Sequence, residues 1–163
     1  MSIMTSIESL GFREASAADV AAMALCHLDD PNTPAPDSRI AGYLDGIHHP
    51  QRALRPRIAY VALVDDVIVG YTAGHRTTRH DCEGELQCLF VSPKFRRQGI
   101  ATGLLKLLAR WFESQNARKV CVALAGDSPP EAQPFCDSVG AVPLKKYWYA
   151  WEDITTVNLR RTV

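Results

Sequence analysis

No stretch of this chain approaches the ~20 consecutive apolar residues that a membrane-crossing helix needs. The opening segment, MSIMTSIESLGFREAS, lacks a basic region followed by an apolar run, so no secretory leader is expected. The five cysteines, Cys26, Cys82, Cys88, Cys121 and Cys136, form no CxxC pair. No His/Cys/carboxylate cluster has ligand spacing, so no metal site is expected. Most of the cysteines sit in apolar segments, where small buried hydrophobes in a reducing cytoplasm are the expectation. Excess charge is also lacking, since 18 Lys and Arg balance 18 Asp and Glu. That argues against a general binder of nucleic acid or of an anionic membrane, and neither is expected as a partner. There is no GxxxxGK[ST], and no GxGxxG follows a predicted strand, which excludes the P-loop and the dinucleotide fingerprint. Repeats and low-complexity tracts are absent, and 163 residues suit one domain.

One local absence says more than these. Between Ser92 and Phe112 there is no Asp or Glu, although a helix begins there and helix N-termini normally gather acids around their unpaired N–H groups. The stretch Glu85–Gln115 reads as a strand, a tight loop and a helix. Leu86, Phe90 and Val91 with polar Gln87 suit a half-buried strand, and Ser92-Pro93 ends it. Lys94, Arg96, Arg97, Gln98 and Gly99 follow. From Ile100 the apolar residues take helical spacing, with Ile100, Leu104, Leu107, Leu108 and Trp111 as the expected buried stripe. A basic loop, two glycines and no competing carboxylate form a site open to an external anion. Gly103 costs roughly 1 kcal/mol of helix propensity, so it is expected to serve packing or ligand approach.

The rest of the chain alternates strands and helices. A short strand at Gly11–Glu14 precedes a helix over Ala17–Leu28, capped by Ser16. After the proline-rich break at Asp29–Asp37, Asp37 or Ser38 caps a second helix to about Ile47. Ile58–Val64 and Val67–Thr77 make a hairpin turned at Asp65-Asp66, and Arg79–Gly84 is a polar loop. Lys119–Leu124 is a buried strand, Gly126–Pro130 a loop, and Glu131–Val139 a short helix with Gly140 at its C′ position. Val142 to about Ile154, with Trp148, Tyr149 and Trp151, completes the sheet. This order defines an α/β (α+β) fold, a mixed and mostly antiparallel sheet flanked by helices.

Arg96-x-x-Gly99-x-Ala101, with VSP before it and an amphipathic helix after it, resembles the acyl-CoA-binding motif of the GNAT superfamily of N-acetyltransferases. The element order is also similar, so the resemblance spans roughly Phe12 to Asp153 of a single domain covering residues 1–163. It implies acetyl-CoA as co-substrate and an amine acceptor, small or peptidic, that attacks the thioester directly in a ternary complex. By position, Leu89 would polarise the thioester carbonyl and Val91 would hold the pantetheine arm, with Phe90 between them also expected at the cofactor. Arg96, Arg97, Gln98, Gly99, Ile100, Ala101 and Thr102 would take the pyrophosphate, with Gly103 also expected at the cofactor. Ser128 is the nearest polar substitute for an asparagine often found before the last helix.

For chemistry, the resemblance points to Glu85, six residues before Val91, as general base. Period two places Glu85, Gln87, Leu89 and Val91 on one face. A polar residue binding substrate charge is the competing role for Glu85, and His75 and His80 are rival bases. The general acid is expected at Cys136, where the family often carries tyrosine, unless that thiol is a buried filler; Tyr147 and Tyr149 are also at hand. The departure keeps open a second class of function, a catalytically silent acyl-CoA-binding sensor, and a third is transfer of a longer acyl chain. Asp29, Asp30, Asp37, Asp45 and Glu83 would favour a cationic acceptor if they line the cleft. The aromatics of the last strand leave a homodimer open.

Overall fold

A computed structural model describes residues 9–27, 43–44, 49–124, 128 and 130–159. The chain opens with strand β1 (Leu10–Glu14) and a tight turn at Ala17–Asp19 that leads into helix α1 (Val20–Leu25). The Asp19 carboxylate explains that tight entry. It accepts the Ser16 N–H at 2.9 Å and both terminal nitrogens of Arg13 at 2.8 and 2.9 Å, and the arginine pulls its pKa down to about 2. Of the second expected helix, only Tyr43 and Leu44 fall among the described residues, and Asp29, Asp30, Asp37 and Asp45 fall outside them.

Strands β2 (Ala53–Val64) and β3 (Val67–Thr77) form the expected hairpin, with Asp65 and Asp66 at φ 51° and 66° in its turn. Strand β4 (Gly84–Val91), helix α2 (Ile100–Ser114), strand β5 (Val120–Ala123) and helix α3 (Ala132–Ser138) come next. Gly140 takes φ 93° just past α3, the left-handed stop that its position suggested. The final segment differs from expectation: it is a hairpin, β6 (Val142–Lys145) and β7 (Trp148–Trp151), reversed at Lys146-Tyr147 with Tyr147 at φ 69°. Its aromatics do not make one exposed patch either. Trp151 is fully buried and donates its indole N–H to the Val139 carbonyl at 3.1 Å, Trp148 and Tyr149 are half-buried, and Tyr147 is exposed.

The strands form one seven-stranded sheet in the order β1-β2-β3-β4-β5-β7-β6, antiparallel except for β4 against β5. Helix α2 covers one face. Its buried stripe is Ile100, Leu104, Leu105, Leu108, Ala109 and Phe112, while Leu107 and Trp111 lie at the margin. The observed stripe differs from the expected one in Leu105 and Phe112, which replace Leu107 and Trp111, and in the small Ala109. On the opposite face Met23 and Tyr43 cover Val61, Tyr71, Ala73 and Phe90.

Two irregularities of β4 open the middle of the sheet. The strand pairs with β5 only over Gly84–Leu86, so from Gln87 onward its outer edge is released from β5. Gln87 is also an extra residue against β3, because Leu86 faces Gly74 and Cys88 faces Ala73. Such a bulge reverses the in-out alternation beyond it. Leu86, Leu89 and Val91 therefore pack toward α2, whereas Glu85, Cys88 and Phe90 face the Tyr43 and α1 side. The expectation that Glu85, Leu89 and Val91 share a face is corrected by this one residue.

Candidate active site

The released edge of β4 presents backbone polarity without a strand to receive it. The Ser92 N–H donates to the Val69 carbonyl at 2.8 Å, and the Cys88 carbonyl accepts the Thr72 hydroxyl at 2.8 Å, so both turn toward β3. Backbone groups alternate sides along a strand. Leu89 and Val91 therefore aim their N–H and C=O groups into the gap beside β5, while the Phe90 backbone turns to β3 and its ring packs in the cluster with Met23 and Cys26. Of the three β4 residues expected at the cofactor, Leu89 turns its N–H and C=O and Val91 its N–H to the gap, while the Val91 carbonyl accepts from Arg96 Nε at 2.9 Å. Phe90 supports them from behind.

Past the strand, Pro93–Phe95 make a tight turn and the loop runs to Gly99, the N-cap of α2. Arg97 and Gly99 both adopt left-handed backbone, φ 62° and 81°. Helix α2 starts with no side-chain cap and no acid in its first turn, so the N–H groups of Ile100, Ala101 and Thr102 have no intrahelical partner. A Cβ built on Gly99 would meet nothing within 4 Å, so the space over these donors is open. Arg97 is exposed beside it. This concave set of backbone donors with a guanidinium at its rim suits a phosphate or diphosphate.

Arg96 and Gly103 take other parts. The Arg96 Nε donates to the Val91 carbonyl at 2.9 Å, its Nη1 meets Glu131 at 2.9 Å, and its guanidinium lies 5.4 Å from the centre of the Phe90 ring. It ties the loop to the end of β4 and to the start of α3. Gly103 donates its N–H to Gly99 within the first turn, and a Cβ there would stand 2.7 Å from the tip of the Phe12 ring. Of the two uses expected for Gly103, the geometry supports packing. Gly103→Ala is accordingly expected to leave affinity for the anionic ligand within about twofold, because Phe12 on edge strand β1 can swing away and helix propensity gains up to ~1 kcal/mol. Calorimetric titration and a urea melt would check it; a large loss of affinity at unchanged stability would return Gly103 to the ligand.

On the opposite face, Glu85 sits in a buried polar pocket. It is 5% exposed, and its Oε1 lies 3.8 Å from His75 Nε2 and 3.6 Å from Arg79 Nε. Burial raises its pKa to about 6, with Arg79 acting against the rise. His75 is wholly buried and held at about 4 by burial and by Arg57 and Arg79, so it stays neutral at pH 7. Its Nδ1 lies 2.9 Å from the Tyr43 hydroxyl. His80 is farther out: its ring meets the edge of Trp148, with centroids 4.5 Å apart, and its Nδ1 is 3.3 Å from Lys145 Nζ. Glu83 does not face this pocket, because it accepts the backbone N–H groups of Arg118 and Lys119 at 2.9 and 3.2 Å.

Cys136 is brought to the core. It is 5% exposed among Leu105, Ala109 and Trp151, and burial raises its thiol to about 11. Such a thiol is filler with little tendency to donate a proton. Tyr149, packed against the same cluster, keeps partial exposure, and Ser128 is half-buried between β5 and α3. Tyr43, Arg57 and Arg79 went unnoticed in sequence. Arg79 belongs to a segment whose sequence reads as a polar loop, and no local pattern sets Tyr43 apart from other apolar helix positions.

A sheet split beside β4, with a glycine-led helix N-terminus at the mouth of the split, is the framework of an acyl-group transferase. Residues 21–140 match the model of the acetyltransferase (GNAT) family, and the chain belongs to that family. It is 31% identical over 81 residues to aminoglycoside N(6')-acetyltransferase type 1 of Salmonella typhimurium, covering 45% of this chain and 52% of that protein. The chain thus spans about half the length of the curated relatives it matches. Among solved structures, an acetyltransferase from Thermus thermophilus superposes with a TM-score of 0.66 at 16% identity, covering 88% of this chain and 97% of that one. A GNAT-family acetyltransferase from Staphylococcus aureus gives 0.66 at 17% identity, covering 87% and 98%. At these identities the likeness is one of fold. No helix among the described residues is long and apolar enough to cross a membrane, and no group of three or more of their His, Cys, Asp and Glu side chains could hold a metal ion.

Proposed function

We propose that this chain is a one-domain N-acetyltransferase, core about residues 12–153, that moves an acetyl group from acetyl-CoA to a primary amine. The observation that carries the reading is the coexistence of two half-sites on β4: a backbone edge at Leu89 and Val91 that no strand covers, and a buried carboxylate at Glu85. The donor set fits the co-substrate. The first-turn amides of α2 with Arg97 and Gln98 would hold the diphosphate, and the edge of Leu89 and Val91 would hold the pantetheine arm.

Bound acetyl-CoA supplies an activated acyl group on a thiol leaving group. Everything else is asked of the chain. Glu85, ionised above its raised pKa, removes the proton from the acceptor's ammonium so that nitrogen carries a free lone pair. The Leu89 N–H, fixed in direction by the β3–β4 ladder, donates to the carbonyl oxygen where negative charge grows. A preorganised amide of this kind is worth about 3 kcal/mol in the transition state. With Cys136 buried, the leaving sulfur would take its proton from solvent or from Tyr149 at the edge of the same cluster. The five free cysteines suit a reducing cytoplasm.

The acceptor is an amine, and the aminoglycoside enzyme among the relatives makes an aminoglycoside the first to try. The test is thiol release from acetyl-CoA with an aminoglycoside, a polyamine and a peptide with a free N-terminus offered in parallel. Amine-dependent release identified by mass spectrometry as an acetamide is the expected result. Acetyl-CoA binding without release for any amine would replace the transferase by a binding module.

A further inference from the structure

We propose that His75, locked by Tyr43, is a positioning residue that anchors one oxygen of Glu85 inward and leaves the other to take the acceptor's proton. The inference rests on the reading of Glu85 as general base and deepens it. The motivating observation is a pair of orphans. His75 Nε2 and Glu85 Oε1 are both sealed from solvent, neither has a hydrogen-bond partner, and they face each other across 3.8 Å. A gap of that size admits no water, yet a side-chain shift of roughly 1 Å closes it to hydrogen-bond distance.

The tautomer follows from the other side of the ring. Tyr43 is 2% exposed, and burial keeps its hydroxyl protonated. Placed 2.9 Å from Nδ1, that hydroxyl can donate to the ring, which leaves the imidazole proton on Nε2, pointed at Glu85. Tyr43 is fixed in turn, since Arg57 donates to its carbonyl at 2.8 Å and lies 4.6 Å from its ring centre. The result is a directed chain, Tyr43 to His75 to Glu85, that ends on a carboxylate. Oε1 is the oxygen sealed on the His75 and Arg79 side, while Oε2 is not among the sealed atoms. A neutral donor is the right device here, because a second full cation beside Arg79 would hold Glu85 ionised and weaken it as a base.

The groups around Glu85 and its His75–Tyr43 partners come from every neighbouring element: Tyr43, Arg57 from β2, His75 from β3, Arg79 from the turn after it, Cys88 on the same strand as Glu85 and Cys121 opposite Glu85 on β5. Burial raises the Cys88 and Cys121 thiols, so they stay neutral beside Glu85, and His75 sets where the Glu85 proton goes.

The experiment compares His75→Leu, His75→Gln, Tyr43→Phe and Glu85→Gln with wild type, reading kcat, KM, acetyl-CoA affinity and the acid limb of the kcat/KM profile. Loss of the donor in His75→Leu is expected to lower kcat about tenfold and to move the acid limb upward by about one pH unit, with acetyl-CoA affinity unchanged. His75→Gln carries an amide N–H near the Nε2 position and should hold the limb where wild type has it. Tyr43→Phe should move it upward by a smaller step. Should His75→Leu fail to fold, 15N NMR of His75 in the wild-type protein decides instead, with the Nε2–H tautomer expected. A limb unmoved in His75→Leu and Tyr43→Phe, or an Nδ1–H tautomer, overturns the inference while an inactive Glu85→Gln leaves the base reading standing. Full activity in Glu85→Gln overturns both.

Discussion

Glu85→Gln is expected to lower kcat at least about 100-fold, the usual range for removing a general base, while acetyl-CoA binds as before. Glutamine fills the same volume and cannot accept the ammonium proton. The proposed cofactor half of the site, Leu89, Val91 and the α2 N-terminus, lies on the other side of the β4 bulge, so nothing couples Glu85 to it directly. Pre-steady-state or single-turnover thiol release separates the chemical step from product release. Wild type should lose kcat/KM as pH falls below about 6, where Glu85 is protonated. The residual activity of the glutamine variant should lack that limb. A glutamine variant that keeps both its rate and its acid limb would move the base elsewhere.

The same substitution carries a stability signature of opposite sign. In the unfolded chain Glu85 titrates near its ordinary value of 4.5, and in the folded protein near 6. A raised folded pKa means that the native state holds the proton more tightly, so the contribution is full below 4.5 and is lost as pH rises toward and past 6. At pH 7 wild type carries the cost of an ionised carboxylate in a buried pocket, roughly 1–2 kcal/mol by linkage, and Glu85→Gln removes it. The variant should therefore be more stable than wild type at pH 7 and lose that advantage by pH 4 in urea melts. Greater stability paired with lower turnover marks a functional burial; a core polar residue kept for packing would lose stability instead.

What could be read from the chain alone depends on how local each feature is. The anion loop is encoded within a dozen residues, through glycine, arginine and the absence of acids, and every part of it is a neighbour in sequence. The hairpin of β2 and β3 and the helix α2 were legible for the same reason. The Gln87 bulge was not, because an extra residue is defined only against the partner strand, and nothing in ELQCLFV marks one. Its consequence, the opposite faces of Glu85 and Leu89, separates the two half-sites on which the proposed function rests. The partners of Glu85 were hidden for a related reason. Tyr43, His75 and Arg79 come from three separate segments, and a strand histidine has no local sign that its ring will meet a carboxylate. Cys136 is misleading in the other direction, since the resemblance implied a role at that position while the α3 register turns it into the core.

Gly99→Val and Arg97→Ala should both weaken acetyl-CoA binding, by about 10- to 100-fold, and for different reasons. At φ 81° a β-branched residue strains the backbone by ~1–2 kcal/mol, and its side chain would enter the open space above the first-turn amides of α2. Because that space holds no protein atoms within 4 Å of the Cβ, the damage is confined to the ligand side and the fold should survive. Arg97 is exposed at the rim, and losing one charge-assisted bond to a phosphate costs roughly 1.5–3 kcal/mol, less at high salt. The discriminating ligand is S-acetylpantetheine, which keeps the thioester and the arm but lacks the diphosphate. Both variants should bind it as wild type does, because its proposed contacts are with Leu89 and Val91 on β4, before the loop begins. Equal weakening toward both ligands would mean that the loop braces the strand through Arg96 and the Val91 carbonyl, and that the substitutions loosened that brace. Unchanged affinity for acetyl-CoA in both variants would remove the diphosphate from this loop.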